Sequence, residues 1–178
     1  MIEMQLDLKG VDKFIEQIGA KKFKQAMRST LDRTATFAKK AVADEVVSQY
    51  NVKRADVVSK IVVQRTTMDQ LKTILRITSA KFMLIYFNPK QTSHGVIAWI
   101  QRKNVSYYPS AFIATMPTGH RDVFKRKTKR RLPIKSRPGP SVTDLSKHLW
   151  ALPKLKAMVN DFMLKTFKEN IEKKGGTV

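Results

Sequence analysis

The stretch Arg121-Asp122-Val123-Phe124-Lys125-Arg126-Lys127-Thr128-Lys129-Arg130-Arg131-Leu132-Pro133-Ile134-Lys135-Ser136-Arg137-Pro138-Gly139-Pro140-Ser141-Val142 holds nine basic residues and one acid, Asp122, in its first 17 positions. Val123-Phe124 and Leu132-Pro133-Ile134 bracket the charges with apolar residues, so the segment is not a free basic tail. Two short strands joined near Thr128-Lys129 fit the pattern, and Pro138-Gly139-Pro140 is expected to reverse the chain as a turn. Lys125, Lys127 and Lys129 run against Arg126, Arg130 and Arg131, which makes the strand pair basic on both faces. Such a hairpin is expected to hold its tip in solvent or in a channel rather than against a core.

Upstream of the hairpin the chain reads as sheet. Residues 61–66, 71–78, 82–87, 95–101 and 111–116 are rich in β-branched and aromatic residues. Asn88-Pro89, Gly95 and Tyr108-Pro109 are expected as turns between them. Further back, residues 20–50 switch to helical spacing. Phe23, Met27, Leu31, Thr34, Ala38, Ala41, Glu45 and Gln49 follow one track, with Ala35, Val42, Val46 and Tyr50 beside it. Alanines at 35, 38, 41 and 43 permit close approach of another element. A helix of that length would span about 45 Å, so it bends near Ser29-Thr30 or projects along the body. Asn51 is expected to close it, with a second short helix or turn over 52–60.

The chain's two ends complete the pattern. Residues 1–9 alternate as a half-buried strand, and Gly10 leads into a short helix over 11–18 that stops at Gly19. Beyond Thr143–Leu152, Pro153 suits the first turn of a final helix reaching Lys173. Leu155, Met158, Val159, Phe162, Phe167 and Ile171 are expected inward. Strand, helices, several antiparallel strands and a closing helix argue for an α+β fold: the long N-terminal and the C-terminal helix pack on a mainly antiparallel sheet from which the hairpin protrudes. A single domain over 1–178 is expected, in three stretches: 1–60, 61–142 and 143–178.

Composition narrows the function classes. At 178 residues with 42% hydrophobic content the chain has enough material for a real core. It has no cysteine, which excludes a disulfide scaffold and any thiolate metal site. The N-terminus carries acids and no basic n-region, and the longest apolar run, 82–87, is far shorter than the roughly 20 residues that cross a bilayer. A soluble protein with no membrane partner is expected. The outlying quantity is charge: 35 Lys+Arg against 14 Asp+Glu give a net +21. The excess peaks in the hairpin, while the helical ends are closer to balance. A field of that size self-repels and is tolerated where a polyanion or an acidic partner screens it.

Catalysis finds little support. Enzymes that hydrolyse nucleic acid converge carboxylates on a metal. Here Asp44 and Glu45 are adjacent on a helix and point apart, and the acid nearest upstream of Asp122 is Asp69. His94, His120 and His148 stand apart, with no second ligand at i+3 or i+4. Seven scattered glycines form no phosphate loop, and no nucleophile elbow is present. The expectation is no enzyme, no cofactor and no metal.

The basic elements support binding instead. Duplex DNA carries one negative charge per ~1.7 Å of axis, so clustered Lys and Arg hold it without reading sequence. Arg121, Lys125, Arg126, Lys127, Lys129, Arg130, Arg131, Lys135 and Arg137 are the candidate face toward DNA or toward acidic residues of a neighbouring subunit. The proline-stiffened course Leu132, Pro133, Ile134, Pro138, Gly139, Pro140, Ser141 and Val142 cannot be an interior strand and is a candidate edge that docks in another chain. Tyr107-Tyr108-Pro109 and Ala111-Phe112-Ile113 are its receptor or simply core, and Trp99 and Trp150 are expected as packing anchors.

The segment resembles the phage minor tail protein Z (tail completion) family. There an aromatic-basic strand runs into Leu-Pro-Ile and then Gly-Pro-Ser-Val, here Leu132-Pro133-Ile134 and Gly139-Pro140-Ser141-Val142, followed by Thr143 where the family often has proline. A second correspondence is the basic break Asn51-Val52-Lys53-Arg54 after the long helix. The resemblance implies a virion protein of a long-tailed phage or prophage, made in the host cytoplasm. It would complete the head-proximal neck of the tail and support head-tail joining. It further implies a homo-oligomeric, hexameric ring around the genomic double-stranded DNA. The implied neighbours are tail terminator, tail tube or head-tail connector proteins and the end of the tape-measure protein. The competing class is a stand-alone, sequence-nonspecific DNA-binding protein, whose purified form would bind duplex with a steep salt dependence.

Overall fold

The computed structural model describes residues 2–3, 15–16, 18–67, 70–147 and 153–175. Its described elements in order are β1 (Ile2–Glu3), α1 (Ala20–Gln49), α2 (Arg54–Ser59), β2 (Ile61–Gln64), β3 (Ile74–Ile77), β4 (Lys81–Met83), a 3₁₀ turn (Leu84–Phe87), β5 (Lys90–Thr92), β6 (Gly95–Gln101), β7 (Asn104–Pro109), β8 (Ala111–Thr115), β9 (Arg121–Arg126), β10 (Ile134–Ser136), β11 (Pro138–Ser141), α3 (Val142–Ser146) and α4 (Pro153–Glu172). The fold is α+β, and every strand pairing is antiparallel. The chain divides into two compact units. One takes its residues from Met1–Ala43, Ile61–Ile77 and His148–Val178, the other from Asp44–Lys60 and Thr78–Lys147.

In the first unit α1 lies against α4, and the sheet has the order β1-β3-β2. Phe23, Ala26 and Met27 of α1 share a core with Phe167 and Ile171 of α4, the Phe23 and Phe167 rings meeting edge to face at 6.3 Å. Phe37 and Phe162 stack at 4.1 Å. A buried polar pair ties the helices as well: Asn170 Nδ2 donates to Thr30 Oγ1 at 2.9 Å, and Thr30 Oγ1 donates to the Ala26 carbonyl at 2.9 Å. Ala35 and Ala38 of α1 are both fully buried, and longer side chains at those two positions would not fit. Gly19, at φ 78°, takes the left-handed cap that separates α1 from the preceding helical residues, and its N–H bonds the Ile15 carbonyl at 2.8 Å. Met158, expected inward, is 40% exposed; the inward stripe of α4 runs through Leu155, Val159, Met163, Thr166 and Phe167 instead.

The second unit holds the remaining sheets: β5-β6-β7, β10-β9-β8 and the pair β11-β4. The C-terminal carbonyls of α1 are satisfied by the β6–β7 turn, where Arg102 donates from its backbone to Gln49 at 3.0 Å and from Nε to the Val47 carbonyl at 2.8 Å. Three sequence expectations are corrected here. Residues 84–87, expected as strand, coil into a 3₁₀ turn, because Leu84 and Phe87 sit three apart and both bury on one side while Tyr86 stays half-exposed. Pro138-Gly139-Pro140, expected as a reversing turn, is strand β11, pairing Pro138 with Met83 and Ser141 with Lys81 across an irregular register. An edge position tolerates prolines because no ladder donor is required on the outer side. Residues 104–109 form β7, opposite β6, where the sequence had suggested only a turn at Tyr108-Pro109.

Helix α3 opens with a capping box. Ser141 Oγ accepts from the Asp144 N–H at 3.1 Å, and the Asp144 carboxylate accepts from the Ser141 N–H at 3.1 Å and hydroxyl at 2.7 Å. Those bonds, with Lys147 beside them, lower the Asp144 pKa from 3.8 to about 2. A carboxylate depressed in the folded chain stabilises it above the unfolded value, and that contribution is lost as pH falls from 3.8 through about 2. Carboxyl NMR titration of Ser141→Ala is expected to move the Asp144 midpoint back toward its ordinary value; an unmoved midpoint would show that the box does not form.

Candidate nucleic-acid interface

The basic segment is a finger built on β9, which is hydrogen-bonded on both sides. Toward β8 the register pairs Ile113 with Val123 and Phe112 with Phe124; toward β10 it pairs Ser136 with Phe124 and Ile134 with Arg126. The inward Val123 and Phe124 are buried and root the finger in the second unit. Past Arg126 the strands separate into a loop over 127–133, wider than the tight joint near Thr128-Lys129 that the sequence suggests. Pro133 has no N–H to continue the ladder, so the last rung is the Lys127 N–H bonded to the Pro133 carbonyl at 3.0 Å. The Leu132-Pro133 peptide is cis, and Thr128 Oγ1 accepts the Arg130 N–H at 3.2 Å inside the loop.

Arg121, Lys125, Arg126, Lys127, Lys129, Arg130, Arg131, Lys135 and Arg137 are all exposed. The one acid of the segment is not. Asp122 is fully buried, where its carboxylate accepts from the Val123 N–H at 2.8 Å and from the Ser136 hydroxyl. His120 Nε2 stands 4.0 Å from the same carboxylate. Asp122 therefore fastens β9 to β10 from inside and presents no negative surface to a ligand, leaving a shell of cations. Two of those cations rest on aromatic rings, Arg126 over Phe112 at 5.4 Å and Arg137 over Tyr108 at 5.6 Å. Such shelves are worth about 0.5–1 kcal/mol at exposed sites and restrict long side chains. Burial raises the Tyr108 pKa, an effect partly opposed by the Arg137 charge and by a hydrogen bond to Ser106.

The proline-rich course divides. Leu132 (65% exposed), Pro133 and Pro138 face outward. Ile134 and Pro140 are half-buried, while Gly139, Ser141 and Val142 pack inside their own unit, Gly139 against the Phe87 ring. Of the aromatic cluster, Ala111 is buried, Phe112 and Ile113 are half-buried, and Tyr107 is 52% exposed. Trp99 is half-buried with the Lys90 ammonium 5.4 Å from its ring; Trp150 and His148 lie outside the described residues.

A family model of the prophage minor tail protein Z matches residues 8–174. The chain belongs to that family. No curated protein and no solved structure matches it. Membership in the minor tail protein Z family makes this a structural protein of the phage tail, and the match spans both of the units described above. Among the described residues of this minor tail protein no helix is long and apolar enough to cross a membrane, and no group of three His, Cys, Asp or Glu is placed to hold a metal. Asp44, weighed with Glu45 as a carboxylate pair, is bound to Arg54, whose pKa it raises.

Sequence reasoning missed the opposite bank of the finger. Gln91 of β5, with Ser93, His94 and Ser110 from the β5–β6 and β7–β8 turns, lines a cleft of about 700 Å³ together with Lys125, Arg126 and Lys129. Ser110 lies 11 residues before Arg121 and the other three at least 27 before it, and neither composition nor spacing marks them; the β8–β9 pairing and the bond from the Ile113 N–H to the Gln91 side chain bring them near.

Proposed function

We propose that this minor tail protein is a non-catalytic component of the tail's head-proximal neck, where copies form a hexameric ring around the DNA path and support head-tail joining. In this reading the finger faces the genome during passage, and Leu132, Pro133 and Pro138 contact the next subunit or an adjoining ring of tail terminator, tube or connector. One observation carries it. Nine exposed cations stand on a braced strand, and the only acid among them is folded inward, out of reach of any ligand. A surface of one sign with a rigid base suits a sequence-blind grip on phosphates, which is what a channel that must let every stretch of genome pass requires. The tape-measure end, as a DNA surrogate in the empty tail, would meet the same face.

Electron microscopy of tails carrying a gold-labelled C-terminal tag on this chain is expected to place the label at the end that joins the head. Label confined to the distal tip, or tails lacking the chain altogether, would overturn the neck assignment. A stand-alone DNA-binding protein would be absent from purified tails but would retain duplex in solution at low salt.

A further inference from the structure

We propose that the cleft beside the finger's root is a seat for a phosphate ester or anhydride, and that of the nine cations only Lys125, Arg126 and Lys129 build it. Its lining includes Lys125, Arg126 and Lys129 on one bank and the hydroxyl residues Ser93, Ser110 and Thr128 around them, with no carboxylate anywhere in the lining. Among the described residues neither lysine has an acidic partner, so the three positive charges repel one another until an anion enters. Ser93 and Ser110 hydroxyls make no hydrogen bond within the described residues and are available as neutral donors.

The banks are held before any ligand arrives. Gln91 Oε1 accepts from the Ile113 N–H at 2.8 Å, while its Nε2 donates to the carbonyls of Thr92 at 3.0 Å and Gly95 at 2.9 Å. The His94 carbonyl accepts from the Ser110 N–H and from the Tyr107 hydroxyl, both at 3.0 Å. Ser110 itself sits at φ 58°, a conformation that a non-glycine residue keeps when its surroundings enforce it. On the other side Lys125 is fixed opposite Ala111 in the β8–β9 ladder. The backbone of both banks is therefore ordered before an anion enters, which leaves the long cationic side chains as the groups still to be ordered.

Size and chemistry narrow the occupant. A cleft of about 700 Å³ exceeds what a lone ion fills and lies in the range of sites for whole small molecules. Phe112 also lines it, but the Arg126 guanidinium covers its ring, which leaves that ring unsuited to stacking a base. A phosphate with its adjoining sugar fits, held by charge-assisted bonds and read without regard to sequence. The shared chemistry is a phosphate ester or anhydride, either the backbone of DNA or a free polyphosphate; the DNA source rests on the neck reading above.

The test is amide-resolved NMR of the full chain titrated with inorganic pyrophosphate, followed by addition of a short blunt DNA duplex. Saturable shifts confined to Ser93, His94, Ser110, Thr128 and Lys129 are expected. Lys125→Ala and Lys129→Ala, both at exposed positions, are each expected to weaken binding about tenfold or more, with Lys129→Arg restoring it in part. Displacement by the duplex assigns the seat to the DNA backbone, and saturation without displacement assigns it to a free polyphosphate. Shifts spread evenly over the basic surface, or unchanged affinity in the alanine variants, would overturn the seat. Failure of the cleft alone is distinguishable from failure of the neck reading. Lys127→Ala/Arg130→Ala/Arg131→Ala should weaken duplex binding and leave pyrophosphate affinity intact, so loss of the localised site with retention of duplex binding removes only the cleft.

Discussion

Gly95→Ala is expected to lower the melting temperature by about 10 °C, the largest loss of stability for one added methyl group in the second unit. A β-carbon on Gly95 would overlap the Tyr108 carbonyl oxygen and lie 3.1 Å from both the Pro109 Cα and the Tyr107 ring. The first obstacle is backbone, and it belongs to the strand paired directly with β6. No rotamer change relieves it; β6 and β7 must part. Overpacking of this kind costs typically 1–3 kcal/mol. Each ladder bond stretched in the process adds about 0.5–1.5 kcal/mol. A total near 3 kcal/mol corresponds to about 10 °C in a chain of this length. The Gly95 carbonyl also accepts from Gln91 Nε2 and Thr92 Oγ1, both at 2.9 Å, so the turn that walls the cleft would shift with it. Thermal unfolding followed by circular dichroism decides the matter. A variant melting within 2 °C of the parent would mean that β6 and β7 do not approach so closely.

Run length decides which parts of the fold were legible in the sequence. Helix α1 was legible because Phe23, Met27, Leu31 and Ala38 repeat at the helical period over 30 residues, long enough for the pattern to outweigh local noise. Pro153 announced the start of α4 in the same way. The four-residue run Leu84–Phe87 carried no such length. Its aromatic and β-branched content matches a strand, and only the packing of Leu84 and Phe87 together on the buried side selects the tighter coil. Tyr108-Pro109 likewise read as a turn because proline is common there, whereas an edge strand accepts Pro109 at its end.

The interface shows the same division. Cation density is a property of composition and was visible at once, as was the apolar bracketing that roots the finger. Which residues point where was not. Asp122, which the sequence left without a second carboxylate nearby, is an internal clasp between β9 and β10. Gly139, Ser141 and Val142, read as docking surface, carry chemistry internal to the chain: a seat for the Phe87 ring, a helix cap and a core valine. Proline stiffness signals a constrained path, but it does not say whether the constraint serves a neighbour or the chain's own core.

Replacing Lys127, Arg130 and Arg131 together by glutamate is expected to leave the fold intact and to abolish production of infectious particles. All three side chains are exposed on the 127–133 loop, and among the described residues the hydrogen bonds of that loop run through the Lys127 and Arg130 backbone N–H groups, which the substitution keeps. Surface changes away from such features shift stability by about 0.5 kcal/mol or less. The electrostatic effect is far larger, because each site trades a cation for an anion on a finger that would then repel phosphate. For a grip of 6–10 phosphate contacts, raising salt from 50 to 200 mM already weakens binding by about 10³–10⁵, and each contact removed flattens that dependence by about one unit of slope. Complementation of a prophage lacking the chain should therefore yield a titre lower by several orders of magnitude with the triple glutamate variant, while its melting temperature matches the parent. The alanine triple, measured against duplex DNA, should lose about three units of salt slope. A lost titre with an unchanged slope would turn the finger away from DNA and toward acidic residues of a neighbouring ring. A full titre would show that the finger's charge is not needed to make infectious particles.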